Sequence, residues 1–462
     1  MASTDSTSSS TAPADAETDD SGYVRRLSLF DGVMVVAGGI IGSGIFRGPE
    51  VVAQRVDTPG LVMAAWALGG VIALIGALCF AELGARRPEA GGGYVYLREA
   101  FSPLFGFLYG WKVAFITATG AIAALAITFA DYAVNVFEIG GGWALPIAVG
   151  AIVFLSGINY YGIRFGSLAQ NILTVLKLGA LAGLIGTGLW LGAGELTTSE
   201  TAAQSVWATG GTWGVVAALG AALTPVLFAH GGWQHANHIA AEIKNPNRNL
   251  PLSLLIGVGI VVGSYLLANY AYLYALGVEG LAGSDAPALD AMEVLLGETG
   301  GTLIGAGVMI SVFGILNLII MAAPRVLQAL SEDDLFFRPF GRLHPEYRTP
   351  TWAILFQAAW AIVLALSGTF EQLLNYVVFG DWILFALIVG TLFVYRRRDP
   401  ADEEPDTFRM VGYPLLPILF IAASIFVVVS TIRSMEPTNA LIGTGILALG
   451  AVVYAGFRWA RR

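Results

Sequence analysis

Charge, lysine and cysteine are what this 462-residue chain has least of. Only 12% of its residues are charged, 56% are hydrophobic, and the mean hydropathy is +0.71. That balance excludes an ordinary soluble domain and points to an all-α integral membrane protein. The single cysteine, Cys79, lies in an apolar stretch and excludes a disulfide framework. Catalytic signatures are missing too. The chain has no Walker loop, no HExxH and no Cys/His cluster, so neither an enzyme nor a resident metal or cofactor is expected. Gly91-Gly92-Gly93-Tyr94 is glycine-rich but lacks the Lys-Ser/Thr of a phosphate loop. A net charge of −9 argues against a nucleic-acid partner. Only Lys112, Lys177 and Lys244 among the 24 basic residues are lysine. A high-salt habitat and a GC-rich genome both give such a bias.

What the chain has in excess is long apolar runs. Stretches able to span a bilayer fall near 30–53, 60–84, 99–130, 143–161, 167–192, 212–240, 251–277, 302–328, 351–368, 373–395, 413–432 and 438–458. The expectation is therefore about twelve transmembrane helices. The polar, Ser/Thr/Asp-rich residues 1–22 read as a disordered acidic tail, and no cleavable signal peptide is expected. With the N-terminus inside, nineteen basic residues fall on the cytoplasmic side. Only Arg47, Arg55 and Arg433 fall outside. That bias places both termini in the cytoplasm of a multi-pass membrane protein.

Two of these runs are interrupted. Residues 38–44 of the first span contain four glycines, Gly38, Gly39, Gly42 and Gly44. Each disfavours helix by up to about 1 kcal/mol relative to alanine. Unwound backbone is tolerated at membrane depth where it lines a cavity, so a break at Gly42-Ser43-Gly44 marks a binding site. The sixth span, Leu223-Thr224-Pro225-Val226-Leu227-Phe228-Ala229-His230-Gly231-Gly232-Trp233, carries a second break. With five spans before it, it is the counterpart of the first. Glycine for close helix packing is the alternative reading of either run.

Gly39-Ile40-Ile41-Gly42-Ser43-Gly44-Ile45-Phe46 resembles the helix 1 signature of the amino acid–polyamine–organocation superfamily. Four further stretches resemble that family. They are Ala81-Glu82-Leu83 with Arg87-Pro88 and Gly91–Tyr96, Phe228–Trp233, Glu242–Pro246 with Arg248–Pro251, and Ala323-Pro324-Arg325 with His344-Pro345 and Thr349-Pro350. The match covers about residues 25–400 and is similar above all to the L-type amino acid transporters and their bacterial relatives. The resemblance implies a five-plus-five inverted repeat, residues 23–192 and 193–398, with two extra helices in 399–462. It implies alternating access and a free amino acid as substrate. It does not carry over a disulfide-linked heavy subunit, because the loop near Asn135–Trp143 has no cysteine; a monomer or weak dimer is expected.

A zwitterionic amino acid needs donors for its carboxylate and acceptors for its ammonium. Amides near Ser43, Gly44 and Ile45 would supply the donors, with Gly42 at the break. Carbonyls near Ile40-Ile41 and Phe228-Ala229-His230, with Gly231 following, would supply the acceptors. By resemblance Phe228 matches an aromatic outer gate, and Lys177 matches a lysine standing where sodium-coupled relatives hold a cation. That implies sodium-independent exchange or proton coupling. A lysine at that depth is functional by default, with snorkelling to the interface as the alternative. Lys112 has no evident partner. His230 stands where the family leads one to expect Tyr or Phe, and could wall the pocket; His235 and His238 follow it, and the three do not suit a metal. Glu82, Arg86 and Arg87, with Glu242, Lys244 and Arg325, are expected to pair as a cytoplasmic gate or to act as topology anchors. Neutral substrates are favoured because no acid is evident beside the breaks, Asp131 and Asp381 falling near membrane edges. A cationic amino acid or polyamine exchanger, an amino acid sensor without flux, and a channel are the alternatives.

Overall fold

The computed structural model describes residues 22–191, 206–367, 370–399, 407–434 and 437–459. Among them the chain is helical throughout, and its single β-type contact is an isolated bridge between Leu27 and Ile243. The first apolar run folds as two helices, α1 (Leu29–Ile40) and α2 (Ser43–Ala53), bent by 40° at their junction. Ser28 starts α1. Its hydroxyl accepts from the Asp31 amide, and the Asp31 carboxylate accepts from the Ser28 amide at 2.8 Å, a reciprocal cap. Asn171 holds the other Asp31 oxygen at 2.6 Å, so the cap also fixes the entry of α1 against the fifth span.

Helix α3 (Pro59–Arg86) begins on a Thr58 cap with proline in its first turn. A short α4 (Gly93–Ala100) precedes the third span. That span starts at Pro103 rather than near Glu99, because Phe101 and Ser102 break the helix. It runs as α5 (Pro103–Lys112), one π-helical turn over Val113–Thr117, and α6 (Ala118–Val136). Then follow α7 (Ala144–Tyr160), α8 (Ile163–Leu191), α9 (Val206–Ala229), the single turn α10 (His235–His238) and α11 (Pro246–Ala282). After α12 (Pro287–Leu296) come α13 (Glu298–Ala322) and α14 (Pro324–Glu332). The chain closes with α15 (Thr351–Ser367), α16 (Phe370–Arg398), α17 (Leu415–Ser434) and α18 (Pro437–Trp459).

Among the described residues, seven segments are long and apolar enough to cross a membrane, and the bent α1–α2 pair, taken as one span, makes an eighth. Thr351–Ser367 and Leu415–Ser430 are shorter apolar helices. The helices follow the order of the apolar runs, with shifted ends. The eighth run stops at Ala322 because Pro324 starts a new helix. The acidic tail lies outside the described residues apart from Gly22.

The interrupted helices sit at the centre. Helix α1 packs against α11 and α8, α2 against α9 and α11, and α13 joins α6 and α8. All of α1 from Gly32 to Ile40 is buried. Outward faces carry exposed Trp190, Trp213, Leu303 and Val452, the apolar surface a bilayer would cover.

Candidate functional site: the two helix breaks and their cavity

Helix α1 ends at Ile40, Ile41 and Gly42 are extended, and α2 begins at Ser43. The first-turn amides of α2, those of Ser43, Gly44 and Ile45, are therefore the free donors at this break. The second break is more sharply placed than the sequence suggests. Pro225 is accommodated inside α9, which stays helical to Ala229, and the His230 amide still bonds the Val226 carbonyl at 3.0 Å. Unwinding occupies His230–Gln234 instead, centred on Gly231 and Gly232.

The two breaks touch. Gly232 has φ +124°, a conformation side chains resist, and a Cβ there would lie 2.3 Å from the Gly39 carbonyl oxygen. A Cβ on Gly44 would lie 2.8 Å from the Ala229 Cα. Glycine is required at both positions because backbone meets backbone.

Three side chains satisfy the freed carbonyls. The fully buried Lys177 ammonium donates to Gly38 O at 2.8 Å and Ile41 O at 2.9 Å, closing the end of α1. Ser311 donates to the same Ile41 carbonyl at 3.1 Å. The Tyr265 hydroxyl lies 3.0 Å from Ile40 O and 3.2 Å from Ala229 O, so it bridges the two breaks. Tyr265 and Ser311 were not singled out from sequence. They lie 225 and 270 residues from their partners at the first break, and nothing local distinguishes them.

A cavity of about 230 Å³ opens beside these breaks. Ile40, Gly42, Ser43, Gly44, Phe228, Ala229 and Gly231 line it, so seven of the ten expected binding residues share one space. Ile41 and Ile45 are buried in the surrounding core and are not in the lining. Neither is His230, which packs on Trp66 and Tyr265 with ring centroids at 5.6 and 5.0 Å, its Nδ1 2.9 Å from Val226 O. Phe228 is 46% exposed at the cavity edge. Gln234, His235, Trp382 and Phe385 complete the wall, and Ala121, Ala124 and Thr128 face them from α6.

One finding runs against the sequence reading. Asp381, set apart from the breaks in the sequence reading, lines the cavity and pairs with Lys112 at 2.5 Å. The position of α16 relative to the breaks is a tertiary property that local pattern did not carry.

The expected gate residues do pair, and deeper than surface ion pairs would. Glu82 is fully buried; it accepts from Arg86 at 2.9 Å, Arg396 at 2.6 Å and the Met410 amide at 2.9 Å. Arg87 holds Glu99 and Asp399, each at 2.8 Å. Arg325 and Glu242, both nearly inaccessible, pair at 3.1 Å. Lys244 stands apart: it is exposed, and its backbone amide bonds Leu27 O.

Apolar spans, two touching helix breaks with their carbonyls held by side chains, and a small cavity between them define a multi-pass carrier of small solutes. The chain matches the family model described as amino acid permease over residues 27–457. It belongs to that amino acid permease family, whose members are transporters and not enzymes. It is 34% identical over 419 residues to the serine/threonine exchanger SteT of Bacillus subtilis, covering 90% of this chain and 93% of that protein. It is 30% identical to the human b(0,+)-type amino acid transporter 1, over 95% of this chain and 90% of that one. It is also 30% identical to the human large neutral amino acids transporter small subunit 2, over 94% and 81%.

Proposed function

We propose that this membrane transporter of amino acids exchanges neutral amino acids across the plasma membrane without sodium. Substrate would lie in the cavity between the breaks. Its carboxylate would take the free amides of Ser43 and Gly44, and its ammonium the carbonyls flanking Gly231. The observation that carries the reading is the Lys177 ammonium on Gly38 O and Ile41 O. The lysine already satisfies carbonyls that would otherwise be open to a sodium ion. Repeats over 23–192 and 193–398 would rock around the paired breaks, with residues 399–462 outside the repeats and both termini in the cytoplasm. The buried Glu82 and Glu242 pairs and the Arg87 cluster would hold one face closed. Phe228 would close the other. Cys79, buried in α3, offers no thiol to a heavy subunit, which supports a monomer or weak dimer.

The test is radiolabelled amino acid uptake into proteoliposomes preloaded with a mixed amino acid panel, with and without a sodium gradient. The expected result is saturable uptake that preloading stimulates and sodium leaves unchanged. Uptake that requires sodium would overturn the coupling assignment. Saturable binding without flux would favour a sensor.

A further inference from the structure

The cavity holds an acid whose charge is already occupied. Among the described residues that line it, Asp381 is the only carboxylate, and no lysine or arginine joins it there. Its side chain is 33% exposed, while Lys112, which grips Oδ1, is only 3% exposed. Lys112 thus approaches from behind the wall and leaves the rest of the carboxylate open to the cavity. Lys112 is the last residue of α5, and the π-helical turn begins at Val113, a distortion of a kind frequent at functional sites. Neighbouring polar groups come from α5 itself and from the second break. Tyr109 Oη and His238 Nε2 lie 2.8 Å apart, and His235 stacks edge-on to His238 at 5.5 Å. Gln234 and His235 share the wall with Asp381.

We propose that Lys112 is an internal counter-ion that masks Asp381 and so sets the charge preference of the cavity, the inference resting on the proposed carriage of neutral amino acids. With Lys112 in place the pair is neutral overall, and a substrate bringing an ammonium or guanidinium side chain meets a carboxylate already engaged. A neutral side chain meets no net charge, and a small polar one finds the open Asp381 oxygen and Gln234 as hydrogen-bond partners. Removing the lysine charge leaves a carboxylate that a cationic side chain would complement. Specificity is then set by an occupied acid rather than by the absence of one.

The experiment measures uptake of a labelled neutral amino acid into preloaded proteoliposomes, with unlabelled leucine, arginine, lysine and glutamate as competitors. Wild type, Lys112→Met, Lys112→Gln, Asp381→Asn and the Lys112→Met/Asp381→Asn double variant are compared. Thermal unfolding in detergent reports the fold of each. Arginine and lysine are expected to compete about tenfold or more better, relative to leucine, in both Lys112 variants. The double variant should lose that gain. In Asp381→Asn the unmasked Lys112 should shift competition toward glutamate. Folded Lys112 variants whose arginine-to-leucine ratio stays within threefold of wild type would overturn the inference. If both Lys112 variants fail to fold, Asp381→Asn decides, and an unchanged glutamate ratio there overturns it. Wild type that carries no neutral amino acid overturns the proposed function itself, a result separate from either ratio.

Discussion

Replacing Lys177 with methionine removes a charge while nearly keeping the side chain's length. Its ammonium makes two hydrogen bonds to backbone carbonyls at 2.8 and 2.9 Å, with the side chain fully buried. A hydrogen bond from a charged group contributes about 1.5–3 kcal/mol. The loss is unequal between the two acceptors. Ile41 O keeps the Ser311 hydroxyl at 3.1 Å, whereas among the described residues Lys177 is the one side-chain donor to Gly38 O. Discounting for Ser311, the cost to the unwound geometry is about 3 kcal/mol, near a hundredfold in the population of the binding-competent break. Lys177→Met should therefore weaken apparent affinity for the exchanged amino acid by about two orders of magnitude. At saturating substrate, residual uptake should persist, since binding can restore the geometry. The assay is concentration-dependent uptake into preloaded proteoliposomes, with thermal unfolding of the same preparation as the control for folding. A folded variant with KM within threefold of wild type would refute the placement of Lys177 at the substrate site and leave it a structural anchor.

Four further outcomes follow from the same geometry. Tyr265→Phe removes the hydroxyl shared by Ile40 O and Ala229 O. At about 1 kcal/mol per neutral hydrogen bond, it should raise KM five- to thirtyfold while thermal stability changes little. Gly232→Ala would put a Cβ 2.3 Å from Gly39 O at φ +124°, so both stability and uptake should collapse; uptake near wild type would show that the breaks do not touch. Arg325→Ala strips a buried partner from Glu242 and should destabilise by about 3–5 kcal/mol, read as a lowered unfolding temperature. Around Glu99, burial raises the carboxyl pKa but the Arg87 guanidinium pulls it down further, leaving it below the ordinary value. A depressed carboxyl pKa stabilises the fold above the unfolded pKa, and that contribution is lost as pH falls through the folded one. Wild type should lose more thermal stability than Glu99→Gln between pH 6 and pH 3, and equal losses would dismiss the cluster as a stabilising element.

The parts of the site written in local sequence were legible. Four glycines in seven residues can only weaken a helix, and a lysine deep in an apolar run must find oxygen partners. Gly42 and Ser43 followed from the first fact; the second marked Lys177, but its reach to the first break came only from the family resemblance. The sixth-span break was legible as a region but not in register. Pro225 and the Gly231-Gly232 pair both mark that region in the sequence; Pro225 sits inside α9, and the glycine pair alone lies in the unwound stretch. His230 sits in the expected segment, but one residue before the unwound glycines the helix geometry still turns its ring onto Trp66 and Tyr265. Asp381, Tyr265 and Ser311 were illegible for one reason. Each matters through a partner more than 200 residues away, and the helix packing that brings them together leaves no mark in any short window.

The scarcity of lysine takes on meaning from this packing. Of three lysines among 24 basic residues, two are buried beside the cavity region, Lys112 on a carboxylate and Lys177 on two carbonyls. The paired charges away from the cavity use arginine, at Arg86, Arg87, Arg325 and Arg396, where a planar fork can bind carboxylates by more than one nitrogen. Lysine is kept where a compact ammonium is needed. A guanidinium at 177 is broader than the ammonium and would enter where Gly314 already approaches Nζ so closely that a Cβ there would lie 3.0 Å away. Lys177→Arg should consequently be as damaging as Lys177→Met although it keeps the charge. Lys112→Arg keeps both the charge and a carboxylate partner, so it should retain the neutral preference that Lys112→Met loses. If charge alone governed both positions, the two arginine variants would behave alike. Uptake and competition assays on the pair separate a cation that fits a carbonyl cradle from one that masks an acid.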